Sequence, residues 1–89
     1  MRLEKGDKIY YGGDAANLPG IGIVKRAYSD KWGSFVDVEF EDGRKKKRLS
    51  LSLFSEKYDG TGLTKFVKLE AYRKWKERKI KELMARIGK

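Results

Sequence analysis

A mainly β fold closed by one long C-terminal helix is predicted by the chain, and three observations predict it. Before residue 60 apolar and polar residues alternate, and Gly, Asn-x-Pro and Asp-Gly interrupt the alternation as turns do. From Thr64 onward the apolar spacing becomes helical. At 89 residues there is room for one small core, so a single domain is expected over 1–89. Residues 1–59 are expected to form a five-stranded small barrel, and 60–89 a basic amphipathic helix packed on it.

The strands are expected at residues 7–11, 20–28, 34–40 and 44–51, with a short fifth near Phe54. Residues 12–20, with Gly-Gly and Pro19, and 29–33, with Trp32, read as connections. Gly20-x-Gly22 fits a strand needing close backbone approach better than a nucleotide loop. The third and fourth strands predict a register, because Asp42-Gly43 is a pair favoured in two-residue hairpin turns. Counting outward sets Glu41 against Arg44, Phe40 against Lys45, Glu39 against Lys46, Val38 against Lys47, Asp37 against Arg48 and Val36 against Leu49. A three-residue loop would misplace Leu49, so the apolar pattern also favours the shorter turn.

The helix is expected over residues 65–87, with Thr61 or Thr64 as N-cap and Gly88 at its C-terminal end. At 100° per residue, Leu69, Ile80, Leu83, Met84 and Ile87 gather in one stripe, with Tyr72 adjoining and Trp75 at its margin. Lys74, Arg78 and Lys81 lie opposite. Lys68, Lys79 and Arg86 flank one side, and Arg73 and Lys76 intrude on the apolar sector.

Charge is unevenly spread. The net charge is +9; residues 1–67 hold 13 Lys/Arg against 10 Asp/Glu, whereas 68–89 hold 9 against 3. A concentrated positive field attracts polyanions, and a scattered one mainly aids solubility. With neither Cys nor His, no disulfide or imidazole metal site can supply folding energy. The start carries no apolar leader core, and no stretch approaches the roughly eighteen apolar residues of a membrane span, so a cytoplasmic location without membrane partners is expected.

Gly6-Asp7-Lys8-Ile9, then Gly20-Ile21-Gly22-Ile23-Val24, then the hairpin from Phe35 ending in Lys47-Arg48-Leu49 resemble the Tudor-like, SH3-like and KOW group of small barrels over residues 6–54. The pattern looks closest to the C-terminal Tudor-like domain of bacterial repair helicases, and more distantly to the polymerase-binding domain of CarD-type transcription factors. The resemblance implies a barrel of the SH3-like kind and binding to RNA polymerase or nucleic acid without catalysis. The first loop is longer than that pattern, and the basic helix is not part of it.

Enzymatic chemistry and a cofactor are not expected. There is no His or Cys, no Gly-x-Ser-x-Gly elbow and no phosphate-binding Gly-x-x-x-x-Gly-Lys-Ser/Thr loop. Asp37 and Glu39 share a strand face, yet basic partners are expected opposite both, which suits a salt-bridged surface. Tyr10, Tyr11, Tyr28, Trp32 and Phe35 could gather as a methyl-lysine cage or a base-stacking platform. Of these, Trp32 and Tyr11 are the candidates for stacking or partner contact, and Phe40, Phe54 and Phe66 are assigned to packing. The expected function is nucleic-acid binding, DNA ahead of RNA, through phosphate contacts from Lys45, Lys47, Lys68, Lys74, Arg78, Lys79, Lys81 and Arg86. The alternative is a protein-interaction module that binds RNA polymerase, a helicase or another replication or repair protein. The chain is expected as a monomer or as a homodimer through the helix.

Overall fold

The computed structural model describes residues 3–60 and 64–88. Five strands, β1 (Lys8–Tyr11), β2 (Gly20–Asp30), β3 (Gly33–Phe40), β4 (Lys45–Ser50) and β5 (Phe66–Lys68), form one antiparallel sheet in the order β4-β3-β2-β1-β5. A 3₁₀ turn, Leu51–Leu53, follows β4, and helix α1 (Leu69–Ile87) ends the chain. The expected closed barrel is seen as an open sheet. Among the described residues no ladder joins the edges β4 and β5; the chain after the 3₁₀ turn meets β5 only through an isolated parallel bridge, Phe54 to Phe66.

Alternation sorts the strands into two faces. Ile9, Tyr11, Val24, Val36, Val38, Phe40, Leu49 and Phe66 point to one side, where Leu3, Leu51 and Phe54 complete a buried cluster. Each such side chain contributes on the order of 1.5–3 kcal/mol by leaving water. A single sheet can cover this core only by coiling round it, and register shifts at Val24/Arg26 and Val36/Val38 supply local twist. Gly22 sits where β2 is pressed closest. A methyl group there would lie 2.6 Å from Val38 Cγ1 and 3.0 Å from the Glu39 carbonyl oxygen, which is the close approach that the Gly20-x-Gly22 spacing suggests.

The hairpin register departs from expectation. Phe40 N–H donates to the Arg44 carbonyl (2.8 Å) and Gly43 N–H to the Phe40 carbonyl (2.9 Å), so the loop has three residues, with Gly43 at φ 89°. Glu39 then faces Lys45 and Val38 faces Lys46, one residue out of the expected register, yet Val36 still meets Leu49. A bulge reconciles the two. Arg48 takes a left-handed φ of 56°, and its N–H donates to Asp37 Oδ1 at 2.9 Å instead of to the ladder. The loop choice and the apolar register are therefore compatible at the cost of one unpaired residue.

The end of the chain is also rearranged. The fifth strand is not at Phe54 but at Phe66–Lys68, paired with β1, because Phe66 and Val67 are both buried. The helix consequently begins at Leu69 rather than 65, with Lys68 as N-cap and no side-chain cap; Gly88 closes it by donating to the Met84 carbonyl (3.0 Å). Thr64 is not a cap. It has φ 64° and donates to the Gly13 carbonyl at 2.6 Å, ahead of β5; Thr61 lies outside the described residues. Nor does the helix lie along the sheet. Leu69 is buried and Ala71, Tyr72 and Trp75 are half-buried, but every residue from Lys76 to Gly88 is exposed, and the molecule measures 55 × 24 × 23 Å. No described helix is long and apolar enough to cross a membrane.

Candidate nucleic-acid interface

The position of α1 is set by four rings. Tyr10 of β1 points away from the core and stacks on Tyr72 at 3.8 Å between centroids, with the planes 8° apart. Tyr58, from the segment before β5, meets Tyr10, Tyr72 and Trp75 edge-on at 5.5, 5.3 and 4.8 Å. Trp75 covers the bare backbone of Gly60, where a methyl group would come within 2.8 Å of the indole. Edge-to-face and offset ring pairs are each worth about 0.5–1.5 kcal/mol beyond burial, so the cluster anchors the first two turns firmly. Burial, followed by the phenols of Tyr58 and Tyr72, pushes the Tyr10 phenol up to about 12.

With the first turns anchored, a groove opens between residues 56–58 and the helix. Lys57, Lys68, Lys74, Arg78 and Lys81 line it together with Glu56, Glu70 and Glu77, over Tyr58 and Ala71. Lys74, Arg78 and Lys81 fall at i, i+4 and i+7, the row that the helical projection sets opposite the apolar stripe. Lys74 is held by Glu70 at 3.1 Å across one turn, whereas Lys68, Arg78 and Lys81 make no ion pair among the described residues. Five cations against three carboxylates leave the groove positive, though less so than the helix composition suggests.

The other expected cations lie elsewhere. Lys79 pairs with Glu82 at 3.3 Å, and the helical projection sets Lys79 and Arg86 in line with Trp75 and Tyr72, away from the groove row. The basic run on β4 is divided by the pleat. Arg44 binds Asp42 (2.6 Å) and the Leu18 carbonyl (3.0 Å), with its guanidinium over the Phe40 ring. Lys46 reaches Asp14 (3.7 Å) across the Tyr11 ring, and Arg48 reaches Asp30 (3.0 Å) while covering the Phe35 ring at 3.9 Å. These three therefore cap the core at its edge. The expected pairs with Glu41, Glu39 and Asp37 are replaced: Glu39 meets Lys25 (3.7 Å), and Asp37 accepts from the Arg48 backbone and from the Tyr28 hydroxyl. Lys45 and Lys47 are exposed and make no ion pair among the described residues, but they sit on the strand edge farthest in the sheet order from β5 and α1. They do not line the groove.

The expected aromatic platform does not assemble. Tyr11 and Phe35 are core residues, and the Tyr11 hydroxyl donates to Asp14, so Tyr11 is unavailable for stacking. Desolvation and that hydrogen bond push Tyr11 up to about 12, while the same bond, with N–H donors from Ala16 and Asn17, holds Asp14 well below the usual carboxylate range. Trp32 stands apart, 72% exposed at the tip of the β2–β3 hairpin with the Lys31 ammonium 5.0 Å from its ring centroid. Its backbone N–H donates to Asp30, which lowers that carboxyl, with Arg48 adding to the effect. The Tyr10–Tyr58–Tyr72–Trp75 cluster and the groove residue Lys57 are what the sequence reading missed. The only local signal was Tyr72 and Trp75 at i, i+3 beside the stripe.

Compared with known proteins, the chain matches no family model, no curated protein and no solved structure.

Proposed function

We propose that this protein binds nucleic acid without catalysis, by phosphate contacts in the groove between α1 and residues 56–58. The observation that carries the reading is the convergence of Lys57, Lys68, Lys74, Arg78 and Lys81 on one groove. Cations on a fixed helix row grip a backbone without reading base edges, so low sequence specificity follows. DNA is favoured over RNA, and the site of action is cytoplasmic. The strand order, with Phe54 bridged to Phe66 across the open edges, supports a small barrel of the SH3-like kind as the scaffold.

Fluorescence anisotropy of a labelled duplex and a labelled single strand across a salt series tests this. Five phosphate contacts on duplex DNA give a log-log slope of about −4.5. Replacing Lys74, Arg78 and Lys81 together by Glu abolishes binding without unfolding the sheet, since all three side chains are exposed; unchanged affinity in that variant removes the groove from the proposal.

A second reading rests on Trp32. An indole 72% exposed on a hairpin tip is the kind of anchor that protein interfaces use, and it supports binding to RNA polymerase or a replication or repair protein. Trp32→Ala then weakens capture of such a partner from nuclease-treated extract, and the groove triple variant leaves capture intact.

A further inference from the structure

Ile80, Leu83, Met84 and Ile87 follow the i, i+3, i+4, i+7 spacing of a helical seam, and all four are exposed, by 49, 55, 66 and 83%. They continue the docked face only through Leu69, which is buried and in line with the seam; the rings that dock the helix lie off it. At 100° per residue, Tyr72 lies about 70°, Trp75 about 130° and Ala71 about 170° from the centre of the seam, and the groove row Lys74, Arg78 and Lys81 lies opposite it. No described element lies opposite the seam. Adjoining aliphatic side chains this exposed mark an interaction surface more often than a solvated one.

The rim says what covers it. Lys79 and Arg86 follow one flank, Arg73 and Lys76 close the proximal end, and Lys81 stands beyond Met84; against these five cations stand Glu77 and Glu82, the latter 3.3 Å from Lys79, so the rim stays positive. A second copy would set this cationic rim against itself. Four side chains also fall well short of the about 800 Å² per partner that a stable association buries, so the rim charges must contribute to binding. An interfacial membrane helix carries aromatic anchors on its apolar face, but here Tyr72 and Trp75 are held in the ring cluster. Nucleic acid has no use for the aliphatic seam.

We propose that the distal half of α1 docks an acidic amphipathic helix of a partner protein, whose apolar residues fill the Ile80–Leu83–Met84–Ile87 seam and whose carboxylates meet Lys76, Lys79 and Arg86. The helix-against-helix mode uses the same i, i+3, i+4, i+7 anchors on both sides.

The full chain is titrated with two labelled three-heptad peptides, Leu/Ile at the seam positions of both, with Glu on the flanks of one and Lys on the flanks of the other. The Glu peptide binds at least tenfold tighter, and added salt narrows the difference. Combining Ile80→Gln with Leu83→Gln removes at least tenfold of that affinity while the circular dichroism spectrum and duplex binding stay unchanged. Equal binding of the two peptides, or no binding of either, overturns the proposal. So does a concentration-dependent dimer that the double substitution dissolves, or sedimentation with phosphatidylcholine/phosphatidylserine vesicles that exceeds peptide binding. Weakened duplex binding in the variant combining Lys74→Glu with Arg78→Glu, with peptide binding intact, separates the two faces.

Discussion

Leu69 to Trp75 and Lys76 to Ile87 are halves of one unbroken helix with opposite fates. In the first half two aliphatic and two aromatic side chains are buried or half-buried; in the second, four aliphatic side chains on a regular seam are exposed. The difference teaches that an apolar stripe does not by itself decide what a helix packs on. What decided it was the ring stacked by Tyr10 on the outer face of β1, which fixes the helix by its first two turns and leaves no sheet beneath the rest.

The sharpest way to break this comparison is to remove its central ring. Tyr72→Ala is expected to cost about 2 kcal/mol in urea unfolding, less than a fully buried aromatic because Tyr72 is only half-buried. A loss near zero would mean that the cluster does not hold the helix. A second effect comes with alkali. Tyr10 and Tyr11 both lie above the ordinary phenol value of 10.0, at about 12, chiefly through burial. A folded pKa raised above the unfolded one contributes stability that is complete below pH 10 and is lost as pH rises from 10 towards 12. Unfolding followed by fluorescence should show that decline; Tyr10→Phe shallows it, and an unchanged decline in that variant would place the ionising group elsewhere. The smallest effect belongs to the distal half, where Leu83→Gln shifts stability by no more than about 0.5 kcal/mol. A loss of 2 kcal/mol there would show that the seam is already covered within the molecule.

Strand alternation and helical spacing made the element types legible; the Lys74–Arg78–Lys81 row lies where the helical spacing set it, and Trp32 is exposed in the polar connection where it was expected. The register of β4 was not legible, because a turn and a bulge compensate. The three-residue loop shifts the pairing by one and Arg48 shifts it back, so Val36 meets Leu49 under either count. β5 was missed because three residues, two of them buried side by side, carry no alternation before the helix begins. The anchoring cluster escaped because its rings come from β1, the segment before β5, and α1, and contact across sheet and helix leaves no spacing in the chain. The basic run on β4 misled for a related reason: the pleat turns alternate cations inward over aromatic rings, so only Lys45 and Lys47 are left to face solvent without an ion partner.

Strand β5 passes into α1 at Lys68 without an intervening turn. With no hinge between sheet and helix, the direction in which the exposed seam points relative to the sheet is written in the number of residues between Trp75 and Ile80. Each residue inserted there rotates everything beyond it by about 100° and advances it by about 1.5 Å. A one-residue insertion would leave every side chain of the seam intact and still point it in a new direction, so the length of this helix is a specification in its own right, independent of the residues that compose it.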